Sequence, residues 1–324
     1  MNVNARIGRL RFASTLLLAA ALSFGSACRR DDPSAPSTAS SAERATPPTE
    51  TLAVVATYSI LGDWVARIGG AHVQVAVLVG PGGDAHTYEP TPSDGVALEQ
   101  ARVVFENGLG FEPWLDELHH ASRSTALRCV VTQGVPTRSL SDARASRVEL
   151  DPHVWQSPQR ARLVVRNVAD QLIAVDPQHA SYYRTRLDDY LAELNRLDAE
   201  IRSQLEGLPA DRRVLVTTHD TFGYFAEDYG FRVSSILGST SSETSDPSAK
   251  DVAAVIRLIR EAGVRAVFTE NILNPRLTEQ VAREAGVAVV PSLYTDALGP
   301  AGSSGADYLA MMRSNVRTIV ESLR

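Results

Sequence analysis

Seven histidines and two cysteines are the scarce metal-ligating chemistry of this 324-residue chain. Read against the strand-like runs, five polar residues stand out. His86 follows VQVAVLV, inside GPGGDAHTYEP. His153 lies in DPHVW, just ahead of a helix. His219 follows RRVLVTT, Glu270 follows VRAVFT, and Asp296 follows VAVVPSLYT. In open α/β sheets, ligands bind beyond the carboxyl ends of the strands, which is where these residues fall. Three imidazoles with a carboxylate from Glu270 or Asp296 make a complete four-donor set for a divalent transition metal. A thiolate site lacks cysteines, and an all-oxygen calcium or magnesium cage would not place three neutral imidazoles around its ion. The gaps between the histidines far exceed those of a zinc finger, so such a site forms only once two distant parts of the chain are apposed.

Other chemistries are excluded by composition. Lys250 is the single lysine and follows Ala249, so no GxxxxGK[ST] phosphate loop exists and the chain is no P-loop ATPase or GTPase. A formal net charge of −6 argues against nucleic acid as a partner. Neither HExxH nor GxSxG occurs. With 44% hydrophobic and 22% charged residues, the chain has ordinary globular composition and enough length for two domains.

The elements that must position these residues alternate. LAVVATY, VQVAVLV, ARVVFENG and LRCVVT are expected strands, with helices over Ile60–Ile68, from Ser93 to Glu99 (Ser93 and Asp94 being capping types), and over Glu112–His119. RRVLVTTHD, FRVSSIL, VRAVFTEN and VAVVPSL repeat the grammar, with helices at Gly223–Tyr229, Ser248–Glu261, Pro275–Glu284 and Tyr308–Leu323. The fold class is therefore α/β, with two parallel-sheet lobes and right-handed crossovers. Between them, Ser157–Val175 reads as one helix and Pro177–Leu205 as a second. The latter carries Tyr183, Leu187, Tyr190, Leu194, Leu197, Ile201 and Leu205 on one face. Such a helix is a stiff link. The expected organisation is a signal peptide over 1–27, a tether over 28–50, a first lobe over 51–156, linking helices over 157–209 and a second lobe over 210–324.

Together, GPGGDAHTYEPTPSD, DPHVWQSP, THDTFGYFAEDYG and LYTDALG resemble the metal-binding lipoproteins of bacterial manganese/zinc ABC uptake systems, over essentially all of Thr51–Arg324. The resemblance implies two lobes joined by a rigid helix, a Zn²⁺ or Mn²⁺ in the cleft as transported ligand, an ABC permease with a separate ATPase as partners, and a monomer without enzymatic activity. By position it implies His86, His153, His219 and Asp296 as ligands; some relatives have Glu at the third, where this chain has His219. The long His- and acid-rich loop of zinc-specific relatives is absent, since Ser122–Glu149 contains no histidine. Asp151, Asp220 and Glu270 are expected to orient ligand rings, Glu270 alternatively serving as a fifth ligand. Trp155, Tyr88, Phe222 and Phe225 are expected to line the site. The alternative function is a secreted zinc hydrolase with three histidine ligands and Asp296 or Glu270 as general base. For the remaining histidines the expectation is plain: His72 in a surface turn, His179 on the solvated face of the long helix, and His119 and His120 at a helix end. Glu243, with Ser241 and Ser242, falls in a polar loop that either touches the transporter or is solvated.

Arg6, Arg9 and Arg11 followed by an apolar run from Phe12 to Phe24 read as a secretory signal, too short to span a membrane. Gly25, Ser26 and Ala27 ahead of Cys28 resemble a lipoprotein signal, implying a lipidated Cys28 that anchors the protein at the cell surface or in the periplasm; Gly25 stands where that pattern usually has Leu. Arg29–Glu50, rich in Ser, Ala, Thr and Pro, has no apolar period and reads as a tether. Cys129, in RCVVT, is expected to be a buried small hydrophobe.

Overall fold

The computed structural model describes residues 51–140, 149–237 and 249–324. Cys28, the signal and tether segments, and the Ser241–Glu243 loop lie outside the described residues.

The first sheet has the order β2-β1-β3-β4, all parallel, from β1 (Leu52–Tyr58), β2 (Val73–Val79), β3 (Val103–Glu106) and β4 (Leu127–Val130). β1 is paired on both edges and is apolar and buried over most of its length, as an interior parallel strand requires. The chain runs to one side of β1 for β2 and to the other for β3, so a crevice opens at the carboxyl ends of β1 and β3. In the second half, β5 (Val214–Thr217) pairs with β6 (Arg232–Ser235), and β7 (Ala266–Glu270) with β8 (Ala288–Leu293), again parallel.

Helices α1 (Ser59–Gly69), α2 (Pro92–Gln100) and α3 (Leu115–Ala121) connect the first four strands. Two starts differ from expectation. α2 begins earlier because Thr91 is its cap, its N–H donating to the Asp94 carboxylate at 2.7 Å. α3 begins later because the carboxylate of Glu112 turns back onto the N–H groups of Asn107 and Gly108, at 2.7 and 3.1 Å. That bond closes a loop in which Gly108, Leu109 and Gly110 all have positive φ (77°, 58° and 79°).

α4 (Pro158–Val175) starts at Pro158, with the Ser157 hydroxyl accepting from the Arg160 N–H. α5 (Ala180–Glu206) is 27 residues long, so about 40 Å at 1.5 Å per residue. The expected start at Pro177 instead forms a separate 3₁₀ turn, Pro177–His179. The buried stripe of α5 (Tyr183, Tyr190, Leu194, Leu197, Ile201 and Leu205) packs against α1 and α4 from the first half, and against α9 (Tyr308–Leu323) from the second. The remaining helices are α6 (Gly223–Tyr229), α7 (Ala249–Glu261) and α8 (Arg276–Ala285).

One apolar core runs through both halves. Trp64 meets Tyr308 edge-on at 4.9 Å, the Tyr308 hydroxyl donates to the Trp155 carbonyl (2.7 Å), and the Trp155 indole donates to the Thr295 carbonyl (2.8 Å). Leu298 is tied in both directions, its N–H to the Ser59 hydroxyl (2.9 Å) and its carbonyl to the Gly82 N–H (3.0 Å). These bonds join loops from opposite halves and resist wide separation.

Two expectations are corrected here. Cys129 is half-buried, since β4 is an edge strand, and burial with Glu106 nearby pushes its thiol up to about 11. His72 and His179 are not independent surface residues. The 3₁₀ turns that end in them bring their rings into a stack at 3.7 Å, with His179 Nδ1 bonded to Asp176 (2.7 Å).

Candidate metal centre

Four loops converge at the sheet edges. His219 lies just past β5, Asp296 just past β8, and His153 between Pro152 and the 3₁₀ turn Val154–Gln156 that leads into α4. His86 lies on the Gly-rich loop after β2. Its N–H donates to Asp84 (2.8 Å), and the carbonyl of the preceding Ala85 accepts from the Trp114 indole (2.7 Å).

The four side chains meet. One donor atom from each of His86, His153, His219 and Asp296 lies within 4.8 Å of the others. His86 Nε2 is 3.3 Å from His153 Nε2, and Asp296 Oδ2 is 3.4, 3.7 and 3.1 Å from the Nε2 atoms of His86, His153 and His219. Metal–ligand bonds of ~2.0–2.1 Å place the corners of a tetrahedron about 3.3–3.4 Å apart, and these four separations of 3.1–3.7 Å are close to that, within a group spanning up to 4.8 Å. The His153, His219 and Asp296 side chains are fully buried, and that of His86 is 16% exposed, which makes it the rim.

The deep rings are locked from behind. Asp151 Oδ1 takes both the Nδ1 (2.7 Å) and the backbone N–H (3.0 Å) of His153. Glu270 Oε2 takes His219 Nδ1, and its Oε1 takes the His219 backbone N–H at 2.9 Å. Donating Nδ1–H leaves each Nε2 lone pair facing the centre. Both Glu270 oxygens are thus engaged by His219, which disfavours the fifth-ligand role. Asp220 is corrected: among the described residues it bonds to neither ring and acts only through space on Asp151, Arg138 and the two histidines.

The electrostatics suit a cation. Burial works against a charge on His219, but Glu270 and Asp296 outweigh it and hold the imidazole well above its ordinary range. Burial likewise opposes the Asp296 carboxylate, yet His219 and His153 hold it well below the usual range. Asp151, Glu270 and Asp296 thus place three carboxylates around the imidazoles, against the Arg138 guanidinium, which bonds Asp151 at 2.7 Å.

The aromatic walls differ in part from expectation. Trp155 lies 5.3 Å from the His153 ring. Phe222 and Phe225 pack instead into the core beside Tyr229 and Phe231, and the Tyr88 hydroxyl donates to Asp94 (2.8 Å) while its ring meets Trp114. Phe111, which sequence reasoning missed, stands edge-on to His86 (4.6 Å) and next to His153. Thr221, also missed, donates to Asp296 Oδ1 at 3.2 Å. Its place two residues after His219 was the available signal. Phe111 had none, since its loop follows β3, which supplies no ligand.

Fold and donor set together define the class: an α/β protein of two parallel-sheet lobes and a long helix, with a buried group of three histidines and one aspartate that could hold one metal ion. A family model described as zinc-uptake complex component A, periplasmic, matches residues 54–322, and the chain belongs to that family. Among similar proteins, the manganese-binding lipoprotein MntA of Bacillus subtilis is 34% identical over 278 residues, covering 84% of this chain and 90% of that protein. The zinc-binding protein TroA of Treponema pallidum is 34% identical over 279 residues, covering 83% and 88%. The solved structure of the periplasmic zinc-binding protein TroA from Treponema pallidum superposes with a TM-score of 0.78 at 32% identity, covering 84% of this chain and 99% of that one. A manganese-bound periplasmic metal-binding protein from Candidatus Liberibacter asiaticus gives 0.77 at 26% identity, covering 85% and 100%.

Proposed function

We propose that this protein is an extracytoplasmic receptor that captures one Zn²⁺ or Mn²⁺ through His86, His153, His219 and Asp296 and hands it to an ABC permease driven by a separate ATPase. The observation that carries this reading is the convergence of the four donors, three of them fully buried, all within 4.8 Å of one another. Relatives named for manganese, zinc and iron support the choice of a transition metal as cargo. The intrinsic affinity order favours Zn²⁺ over Mn²⁺ at such a site. A Cys28 lipid anchor, a monomeric state and lobes divided at 51–156 and 210–324 by the linking helices complete the proposal. No helix among the described residues is long and apolar enough to cross a membrane.

The hydrolase alternative needs a metal position open to water. Asp296 Oδ2, within 3.7 Å of all three imidazole nitrogens, takes that fourth corner. The continuous α5 and the bonds between the halves favour release by small local movements.

The test is elemental analysis of purified mature protein, followed by Zn²⁺/Mn²⁺ competition. One equivalent of metal, lost in both His86→Ala and His219→Ala, is the expected result. Binding unaffected by both changes would refute the site. Asp296→Ala separates the functions: a receptor loses affinity, whereas a hydrolase using Asp296 as base keeps its metal and loses turnover.

A further inference from the structure

Behind His153 lies a cluster that the ligand set does not use. Residues 138–140 and 149–151 form a short antiparallel ribbon: Ser139 bridges Leu150, the Leu140 N–H donates to the Glu149 carbonyl (2.9 Å) and the Asp151 N–H to the Arg138 carbonyl (2.9 Å). Arg138 and Asp151 are therefore cross-strand neighbours on one face. Arg138 Nη1 donates to Asp151 Oδ2 at 2.7 Å, while Asp151 Oδ1 holds His153 Nδ1 at 2.7 Å. Asp151 is fully buried, so its second oxygen depends on that guanidinium.

Helix α6 grips this pair from the second half of the chain. The Tyr224 hydroxyl donates to the Asp151 carbonyl (2.6 Å) and accepts from the Arg138 N–H (3.2 Å). Glu227 Oε1 accepts from Arg138 Nε (3.1 Å), and its Oε2 from Arg160 Nη2 (2.8 Å). Gly223 leaves room for the guanidinium, since a Cβ there would fall 1.7 Å from Arg138 Nη1. The same helix begins just past the His219 loop, so one short element is bonded to the support of His153 and continuous in chain with the loop that carries His219, two proposed ligands from opposite halves.

We infer that Arg138 is a positioning residue through which α6 holds the His153 side of the metal site, so that displacement of α6 loosens His153 and His219 together and releases the ion. Glu227, on the exposed side of the helix, is the outer end of this linkage, and a permease acting there would reach the site without entering it.

The inference rests on the metal-receptor reading, and the experiment separates the two. Release of bound Zn²⁺ into excess chelator is timed in the full mature protein for wild type, Arg138→Gln, Arg138→Lys, Glu227→Gln, Arg138→Gln with Glu227→Gln, and Arg313→Gln, a distant surface pair with Glu200. Loss of a partner behind a ligating imidazole costs ~10–100-fold in affinity, so Arg138→Gln is expected to release about tenfold or more faster. Arg138→Lys keeps a cation beside Asp151 and should recover most of the wild-type rate. Glu227→Gln should speed release about threefold alone but add nothing in the Arg138→Gln background, as expected for one linkage. Arg313→Gln should match wild type. In ¹⁵N-histidine spectra of the loaded protein, Arg138→Gln should shift the His153 Nδ1–H signal, a change that general destabilisation would not single out.

Wild-type release with Arg138→Gln within twofold of it, no rescue by Arg138→Lys, or an additive double variant would overturn the inference while leaving the receptor reading intact. A wild-type protein that takes up no Zn²⁺ would instead remove the reading on which it rests.

Discussion

His86 and His219 present Nε2 to the same Asp296 oxygen, from 3.4 and 3.1 Å, but on opposite kinds of support. His219 is fully buried and bonded to Glu270 through both its ring and its backbone N–H. His86 sits on a glycine-rich loop held through its backbone, its ring meeting Phe111 edge-on and facing His153, His219 and Asp296 at the centre, and among the described residues no carboxylate bonds its second nitrogen. One ring is fixed from behind by a carboxylate, and the other is positioned through the backbone of its loop. The buried His219 is thus the floor of the proposed site and His86 its rim, and the two should answer differently to substitution.

The largest effect should come from breaking the floor. His219→Ala removes a donor and leaves Glu270 buried without its partner, a situation that typically costs ~3–5 kcal/mol. Stoichiometric Zn²⁺ binding should vanish in equilibrium dialysis, and thermal unfolding of the metal-free protein should occur at clearly lower temperature. His86→Ala should also cost most of the metal affinity, yet leave metal-free stability within about 0.5 kcal/mol, because His86 is part-exposed and the buried Asp296 keeps its nearer partner His219 at 3.1 Å. Equal destabilisation by the two changes would erase the distinction between floor and rim. Glu270→Gln keeps every protein donor to the ion but weakens the hold on His219. An affinity loss of ~10–100-fold is expected by competition with a calibrated chelator, smaller than either ligand deletion.

The comparison also marks how far the sequence could be read. The apolar runs located β1 and β2 to the residue, and the helix over Tyr308–Leu323 was also placed to the residue, the Asp307 carboxylate capping it in the structure. The histidines at strand ends could be picked out because ligand residues must sit where strands open into loops. What supports them was only half legible. Asp151 precedes its histidine by two residues, so a local bond was expected, but Asp220 adjoins His219 and was passed over in favour of Glu270, from another strand. Adjacency in sequence says little about where a side chain points once a loop turns. Phe111 and Arg138 belong to loops with no ligand of their own and came into view only when four chain segments were brought together.

The smallest effect on the metal should come from Glu112, which shapes the loop behind Phe111 on the rim side. Burial pushes its carboxyl up to about 7, partly offset by the bonds from the Thr57 hydroxyl and the N–H groups of Asn107 and Gly108. The raised value means that the folded protein holds this proton over a range, roughly pH 4.5–7, in which the unfolded chain has released it. Stability from this group is therefore complete below about pH 4.5, falls as pH rises, and is fully lost above about pH 7, amounting to about 3 kcal/mol at ~1.4 kcal/mol per unit. Glu112→Gln, which keeps the side chain uncharged at every pH, should flatten that part of the profile when unfolding by denaturant is followed at pH 5, 6, 7 and 8. The accompanying change in Zn²⁺ affinity should stay within about threefold, since His86 touches Phe111 and not the carboxyl itself. A profile with the same slope in both proteins would mean that Glu112 is already ionised in the fold, and that the positive-φ loop is held by a charge rather than by a shared proton.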